Sequence, residues 1–334
     1  MFVVIVMVSK EYLTIFNDIK EEIRTTKYKV VNSANKELIL MYYRIGQKLR
    51  DNNNWGSSFI DNLSKDLKLI YPNTKGMSSR NLRYMQKFAT TYKYDEFLQE
   101  VLAKLTWYHN TILIDRIKDF EKRKWYAINA VENGWSSTVL IHQISTNLYE
   151  RQALPNNKIS NFKETLPNKI GELSEEILKD PYVFDFISTK KTMKEIDFEN
   201  ELIKNITKFL LELGSSFSFI GRQYHLEVDG EDYYIDLLFY NIKIQCYVVF
   251  ELKTTKFKPE FIGQLNFYVN VVDSKIKSSN DNPTIGILLC KDKNRLNAEF
   301  SLKNINSPIA ISEYKYLEEL QEYLNKELTL AMNE

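Results

Sequence analysis

The sequence predicts an α/β chain in which a helical N-terminal domain precedes a mixed β-sheet core flanked by helices. Three features predict it. Apolar residues recur at helical spacing from about Ser9 to Gln152. Between Gly221 and Asp273, two β-rich runs flank Asp229-Gly230, the strongest short hairpin signal a sequence carries. Further on, TIGILLC and PIAISEY are continuous apolar runs, the pattern of strands covered by helices on both sides.

The opening FVVIVMV is apolar but far below the roughly 20 residues of a membrane span. It lacks the basic start and small-residue cleavage site of a signal peptide, and Met7 is an alternative start, so no membrane association is expected. Tyr12, Ile15, Phe16, Ile19 and Ile23 mark a first helix, and Leu38, Met41, Tyr42, Ile45 and Leu49 a second, broken at Asn52-Asn53-Asn54. FIDNLSKDLKLIYP is a third, ended by Pro72 and the NTKG turn, and the next opens at Ser78. This last pair resembles a helix-turn-helix whose second helix would offer Arg80, Arg83 and Lys87 to nucleic acid. Two packed helices with a solvated basic face fit the same pattern.

Trp107, Trp125 and Trp135 suit a core or an interface, so association into a homodimer is the competing role for this domain. His109 and His142 have no metal-ligating companion at i+3 or i+4 and are expected to be structural or contact-making. Asn133-Gly134 ends a helix, and Ser136 or Ser137 caps the next. The composition then turns to Pro and Asn in ALPNNKISNFKETLPNKIG, which sets the expected limits: a helical domain over 9–152, a linker over 153–171 and a second domain over 172–334. SEEILKDPYVFDFI adds a helix, a turn at Asp180-Pro181 and a short apolar segment. NRLNAEFSL is a helix between the two late strands, and Tyr316 to Leu328 a closing amphipathic one.

Composition narrows the function classes. A chain of 334 residues favours two domains. A net charge of only +1 means that any nucleic-acid contact must come from local basic patches. Cys246 and Cys290 both lie in apolar runs, which suits a reducing cytoplasm and argues against a disulfide scaffold or a cysteine zinc site. No Gly-rich phosphate loop is present, against a nucleotide-driven motor or a dinucleotide-dependent dehydrogenase.

The candidate site follows from counting outward from two turns. A two-residue turn at Asp229-Gly230 pairs Val228 with Glu231, His225 with Tyr234 and Gln223 with Asp236. If the next reversal centres on Lys243 and Ile244, Asp236 falls opposite Glu251, with Lys253 on the same face. Gln223, His225, Asp236, Glu251 and Lys253 would then meet on one patch. Asp236 lies within the apolar run YYIDLLFY, where a carboxylate needs a partner. Two carboxylates and the Leu252 carbonyl are hard oxygen ligands suited to Mg²⁺ or Mn²⁺. With a nearby ammonium they suit metal-assisted phosphodiester hydrolysis. A bare Glu-Leu-Lys carries little by itself; the register makes the case. Gln264 and Tyr268, four apart on the following helix, share a face.

The order Asp, hairpin, Glu-x-Lys resembles the PD-(D/E)XK nuclease superfamily. FLLELGSSFSFIGRQYHLEVDGEDYYIDLLFY, CYVVFELKTTKFKPEFIGQLNFY and DNPTIGILLCKDKN resemble its YhcG-type family, as do LTWYHN and NGWSSTVLIHQISTNLYERQ upstream. The resemblance implies a restriction-endonuclease-like fold with Asp236, Glu251 and Lys253 in the metal and catalytic positions. It also implies Glu199 as a helix carboxylate, Gln264 as the motif glutamine, and DNA as the substrate of a restriction, defence or DNA-processing activity. A DNA-binding or partner-binding accessory that kept the fold without catalysis is the alternative.

Overall fold

The computed structural model describes residues 10–51, 58–153, 158–187, 193–320 and 322. The chain divides into two units, residues 1–141 and 142–334. The expectations for FVVIVMV and Met7, for the break at Asn52-Asn53-Asn54 and for the closing helix beyond residue 322 lie outside the described residues.

In the first unit, the two helices expected between Tyr12 and Leu49 are one, Lys10–Asp51. The polar stretch between the two apolar sets holds neither Gly nor Pro, so nothing in it breaks the helical backbone. Gly46 lets this helix close on Ser79–Thr91, since a Cβ there would lie 1.9 Å from the Met85 carbonyl oxygen. Ser78 caps the second helix, its hydroxyl accepting from the Asn81 amide at 3.3 Å. Leu82, Met85, Phe88 and Ala89 form its buried face. Residues 71–78 separate it from the Phe59–Ile70 helix, a longer connection than the roughly three or four residues of a helix-turn-helix.

His109 is structural: its Nδ1 lies 2.7 Å from the Thr106 hydroxyl and its Nε2 2.9 Å from the Trp135 carbonyl. Trp107 packs edge-on against Tyr42 and Phe88. Ser136 caps the helix after Gly134, its hydroxyl accepting from Val139 N at 3.3 Å. Among the described residues no helix is long and apolar enough to cross a membrane.

Among the described residues, the second unit is built on seven strands: β1 (Ile159–Ser160), β2 (Tyr182–Val183), β3 (Phe217–Val228), β4 (Glu231–Asn241), β5 (Cys246–Leu252), β6 (Ile285–Cys290) and β7 (Ile309–Lys315). The order is β1-β7-β6-β5-β4-β3, with β2 also pairing β7. β3, β4 and β5 form an antiparallel meander, whereas β5, β6 and β7 are parallel. Val248, Phe250 and Leu252 enter a cluster with Phe198, Phe209 and Tyr314 on one face of the sheet. Val249 enters another with Leu265, Val269 and Leu288. Both faces are therefore covered by helices, as the apolar runs require.

The segment expected to be a linker is in part a piece of this sheet. Ile159 and Ser160 pair with Ile311 and Ala310. Buried Asn161 donates its side-chain amide to the Ile305 and Ser307 carbonyls at 2.9 and 3.0 Å and accepts from Ile309 N at 2.7 Å. Residues 154–157 lie outside the described residues. After Asp180-Pro181, the short apolar segment pairs Tyr182 and Val183 with Tyr314 and Lys315. Beneath it Arg151 and Glu212 form a buried ion pair, and Glu212 also accepts from Val183 N at 2.9 Å.

Candidate active site

Two hairpins set the site. Asp229 and Gly230 both take positive φ, 53° and 81°, as a turn matched to strand twist requires. The pairs Val228↔Glu231 and His225↔Tyr234 follow. Asn241↔Cys246 and Leu237↔Phe250 fix the second hairpin in the register that centres on Lys243 and Ile244. Carried one residue further, that register sets Asp236 opposite Glu251. The site therefore lies at the end of β5, where the antiparallel and parallel halves of the sheet meet.

Asp236 spends both oxygens: Oδ2 accepts from the Leu252 backbone N–H at 2.9 Å and Oδ1 from Gln223 Nε2 at 3.2 Å. Burial nonetheless raises its pKa. Glu251 is 1% exposed. Its Oε1 receives the Lys253 ammonium at 2.9 Å, while Oε2 is buried with no hydrogen-bond partner. Burial, then the neighbouring Asp236 carboxylate, pushes the Glu251 carboxyl up to about 7. Lys253 lies 3.4 Å from Glu195 Oε2, with its ammonium 5.4 Å from the centre of the Phe261 ring. Burial pulls its pKa down, but Glu251 and Glu195 outweigh this and leave it above the ordinary lysine value.

Glu199, buried on the Glu195–Lys204 helix, accepts from Gln223 Nε2 at 2.5 Å through Oε2. Its Oε1 has no hydrogen-bond partner, and the Arg222 guanidinium is 4.0 Å away. Burial raises its pKa too. Gln223 thus bridges Glu199 and Asp236. It does so from a strand position with φ of 42°, just after a register shift between Phe219 and Gly221, a conformation that costs a non-glycine residue energy.

Gln264 and Tyr268 share a helix face and are joined at 3.2 Å. Burial raises the Tyr268 pKa, and Glu251 and Asp236 lie close enough to contribute. His225 does not join the patch. It stands two residues further along the strand than Gln223, opposite Tyr234, with its Nε2 2.6 Å from Asp232 Oδ1 and its ring against Tyr234. Glu195 was missed, although its spacing of four from Glu199 on one helix would have found it.

No group of three or more His, Cys, Asp or Glu arranged for a metal is formed among the described residues. A divalent cation still fits. The Glu251 carboxylate keeps a buried oxygen unpartnered, and it faces a second carboxylate whose charge raises its pKa. Hard oxygens under mutual repulsion are what Mg²⁺ relieves.

In the first unit, Arg83 is engaged with Asp61 at 2.9 Å and Lys87 with Asp115 at 2.8 Å. Arg80 stands over the Tyr84 ring at 5.8 Å. Of the three cations expected to face nucleic acid, two are thus held by carboxylates.

The comparisons with known proteins agree with the fold and define a nuclease of the PD-(D/E)XK class. Residues 175–329 match the YhcG PDDEXK nuclease domain and residues 18–151 the DUF1016 N-terminal domain. The Escherichia coli (strain K12) protein named "Putative nuclease YhcG" is 29% identical over 339 residues, covering 91% of this chain and 90% of that one. Residues 175–329 thus carry a YhcG-type nuclease domain of the PD-(D/E)XK superfamily, preceded by the DUF1016 N-terminal domain. Among solved structures, a repair endonuclease from Pyrococcus abyssi matches 39% of this chain and 49% of its own at 15% identity and a TM-score of 0.25. An EndoMS-dsDNA2 complex matches 40% and 48%, at 16% and 0.28. Each match spans about half of the solved chain.

Proposed function

We propose that this protein is a metal-dependent nuclease that hydrolyses phosphodiester bonds in DNA, with Asp236, Glu251 and Lys253 as its catalytic residues. The observation that carries the reading is the Glu251 carboxylate, buried beside Asp236 with one oxygen on Lys253 and the other unpartnered. Asp236, Glu251 and the Leu252 carbonyl would hold Mg²⁺ or Mn²⁺. Such a cation, when bound, supplies Lewis acidity toward a phosphoryl oxygen and makes water a better nucleophile at neutral pH.

The remaining roles belong to the chain itself. Lys253 stays charged and faces the region where negative charge develops in the transition state. Leu252 N–H and Gln223 fix the orientation of Asp236, and Gln223 ties it to Glu199. Gln264 and Tyr268 line the border of the site. In the helical unit Arg80, which no carboxylate holds, is the first candidate to meet a phosphate. Arg83 and Lys87 would exchange Asp61 and Asp115 for it. This chemistry acts on any phosphodiester; DNA is our reading of the polymer, and RNA is the control that would correct it. The test is cleavage of DNA by the full chain with Mg²⁺, Mn²⁺ or EDTA, beside Asp236→Ala and Lys253→Ala. Loss of cutting in both variants with unchanged circular dichroism is expected. Wild-type cutting by either one removes that residue from the mechanism.

A further inference from the structure

The helical unit contains a cleft of about 640 Å³ that the proposed nuclease site does not use. Its wall carries Lys75, Arg80 and Arg116 together with Tyr84, Trp107 and Tyr108. The volume lies in the range of small-ligand sites, roughly 300–1,000 Å³. Lys75, Arg80 and Arg116 form no ion pair among the described residues, in contrast to nearby Arg83 and Lys87. Asp115 also lines the cleft, but both its oxygens are engaged: Lys87 reaches one at 2.8 Å and the Tyr84 hydroxyl the other at 2.5 Å, while Arg80 lies near enough to feel its charge without pairing with it. Those contacts also fix the Tyr84 ring, over which the Arg80 guanidinium stands.

The aromatic part is equally set in place. Trp107 donates Nε1–H to the Asn81 side-chain oxygen at 2.6 Å, and Asn81 donates its amide to the Gly76 carbonyl at 2.6 Å. Tyr108 is different: it is 58% exposed, a large ring facing solvent with unpaired cations for neighbours. A duplex backbone needs only the cations. Cations and a free ring face together are the means by which a single strand is held, the phosphates on the charges and a base on the ring. In a chain of net charge +1, three unpaired cations at one place are the local attraction that the whole cannot supply.

We propose that this cleft binds an unpaired nucleotide of a nucleic-acid strand, with Lys75, Arg80 and Arg116 on its phosphates and Tyr108 stacked on its base. This rests on the nucleic-acid reading above and narrows its substrate class to DNA with a single-stranded portion.

Fluorescence anisotropy of the full chain in EDTA, with a short labelled oligo-dT and a blunt duplex of equal length, tests it. Tyr108→Ala weakens oligo-dT binding at least about fivefold, leaves duplex binding unchanged, and is rescued by Tyr108→Phe. Lys75→Ala with Arg116→Ala lowers the log–log salt slope on oligo-dT by about 1.4, at about 0.7 for each lost phosphate contact. Oligo-dT affinity and slope unchanged in these variants overturn the cleft, and if the wild type still cuts DNA in Mg²⁺ the nuclease reading stands. Equal losses on duplex and oligo-dT overturn it in favour of a general basic face. Poly-glutamate bound through the same residues, with no oligo-dT binding, overturns it in favour of an acidic peptide. A wild type that neither binds nor cuts any nucleic acid overturns both proposals.

Discussion

The Glu251 carboxyl titrates far from its usual place, and this makes the metal-free protein sensitive to pH in a predictable direction. Its pKa rises from 4.5 to about 7 because it is buried beside Asp236. The folded chain therefore holds this proton more firmly than the unfolded chain. The stability it contributes is fully present below about 4.5 and is lost as pH rises through about 7. Between those limits the loss is about 3 kcal/mol. Urea unfolding in EDTA, compared between wild type and Glu251→Gln, isolates the group. The wild type loses up to about 3 kcal/mol relative to the variant as pH is raised from about 4.5 to about 8. On the proposed metal site, added Mg²⁺ is expected to reduce the loss, since it would bind the ionised carboxylate of the folded state. Circular dichroism is the suitable probe, because Trp55, Trp107, Trp125 and Trp135 all belong to residues 1–141 and their fluorescence would miss the sheet. Parallel pH profiles for the two proteins would refute the reasoning.

Two further perturbations test the packing that holds each unit. Gly46→Ala drives a Cβ into the Met85 carbonyl, which cannot swing aside as a side chain would. It should destabilise the helical unit by about 2 kcal/mol or more despite the better helix propensity of alanine, as read by tryptophan fluorescence during thermal unfolding. Glu212→Gln leaves Arg151 buried and uncompensated, at a cost of about 3–5 kcal/mol. In chemical unfolding, Arg151→Met with Glu212→Leu should recover only part of that loss, because buried Lys179, 3.9 Å from Glu212 Oε2, then lacks its carboxylate.

The register of the site was legible because two turns fix it. Asp229-Gly230 admits one kind of turn, and the period of two then carries Asp236 to its position opposite Glu251. The bridge from Gln223 to both Glu199 and Asp236 was not legible in full. It depends on an irregular strand backbone, which no alternation of residue types reveals. The Lys10–Asp51 helix was read as two because its middle is polar, yet a helix continues through polar residues where nothing stops it. Asn161 sat in a run that composition marks as linker, and tertiary hydrogen bonds to the chain around Ile309 make it part of the sheet. Arg83 and Lys87 were visible as cations, but their partners Asp61 and Asp115 lie too far along the chain to be paired by inspection.

The central claim is that the pair Asp236 and Glu251 with Lys253 forms a metal-dependent nuclease site. The most direct measurement incubates the purified full chain with supercoiled, linear, branched and single-stranded DNA, and with RNA, in Mg²⁺, Mn²⁺ and EDTA. The account predicts DNA cleavage in Mg²⁺ or Mn²⁺, none in EDTA and none by Asp236→Ala. Binding of DNA without cleavage under every metal condition would contradict it and identify a binding protein that has kept the nuclease fold.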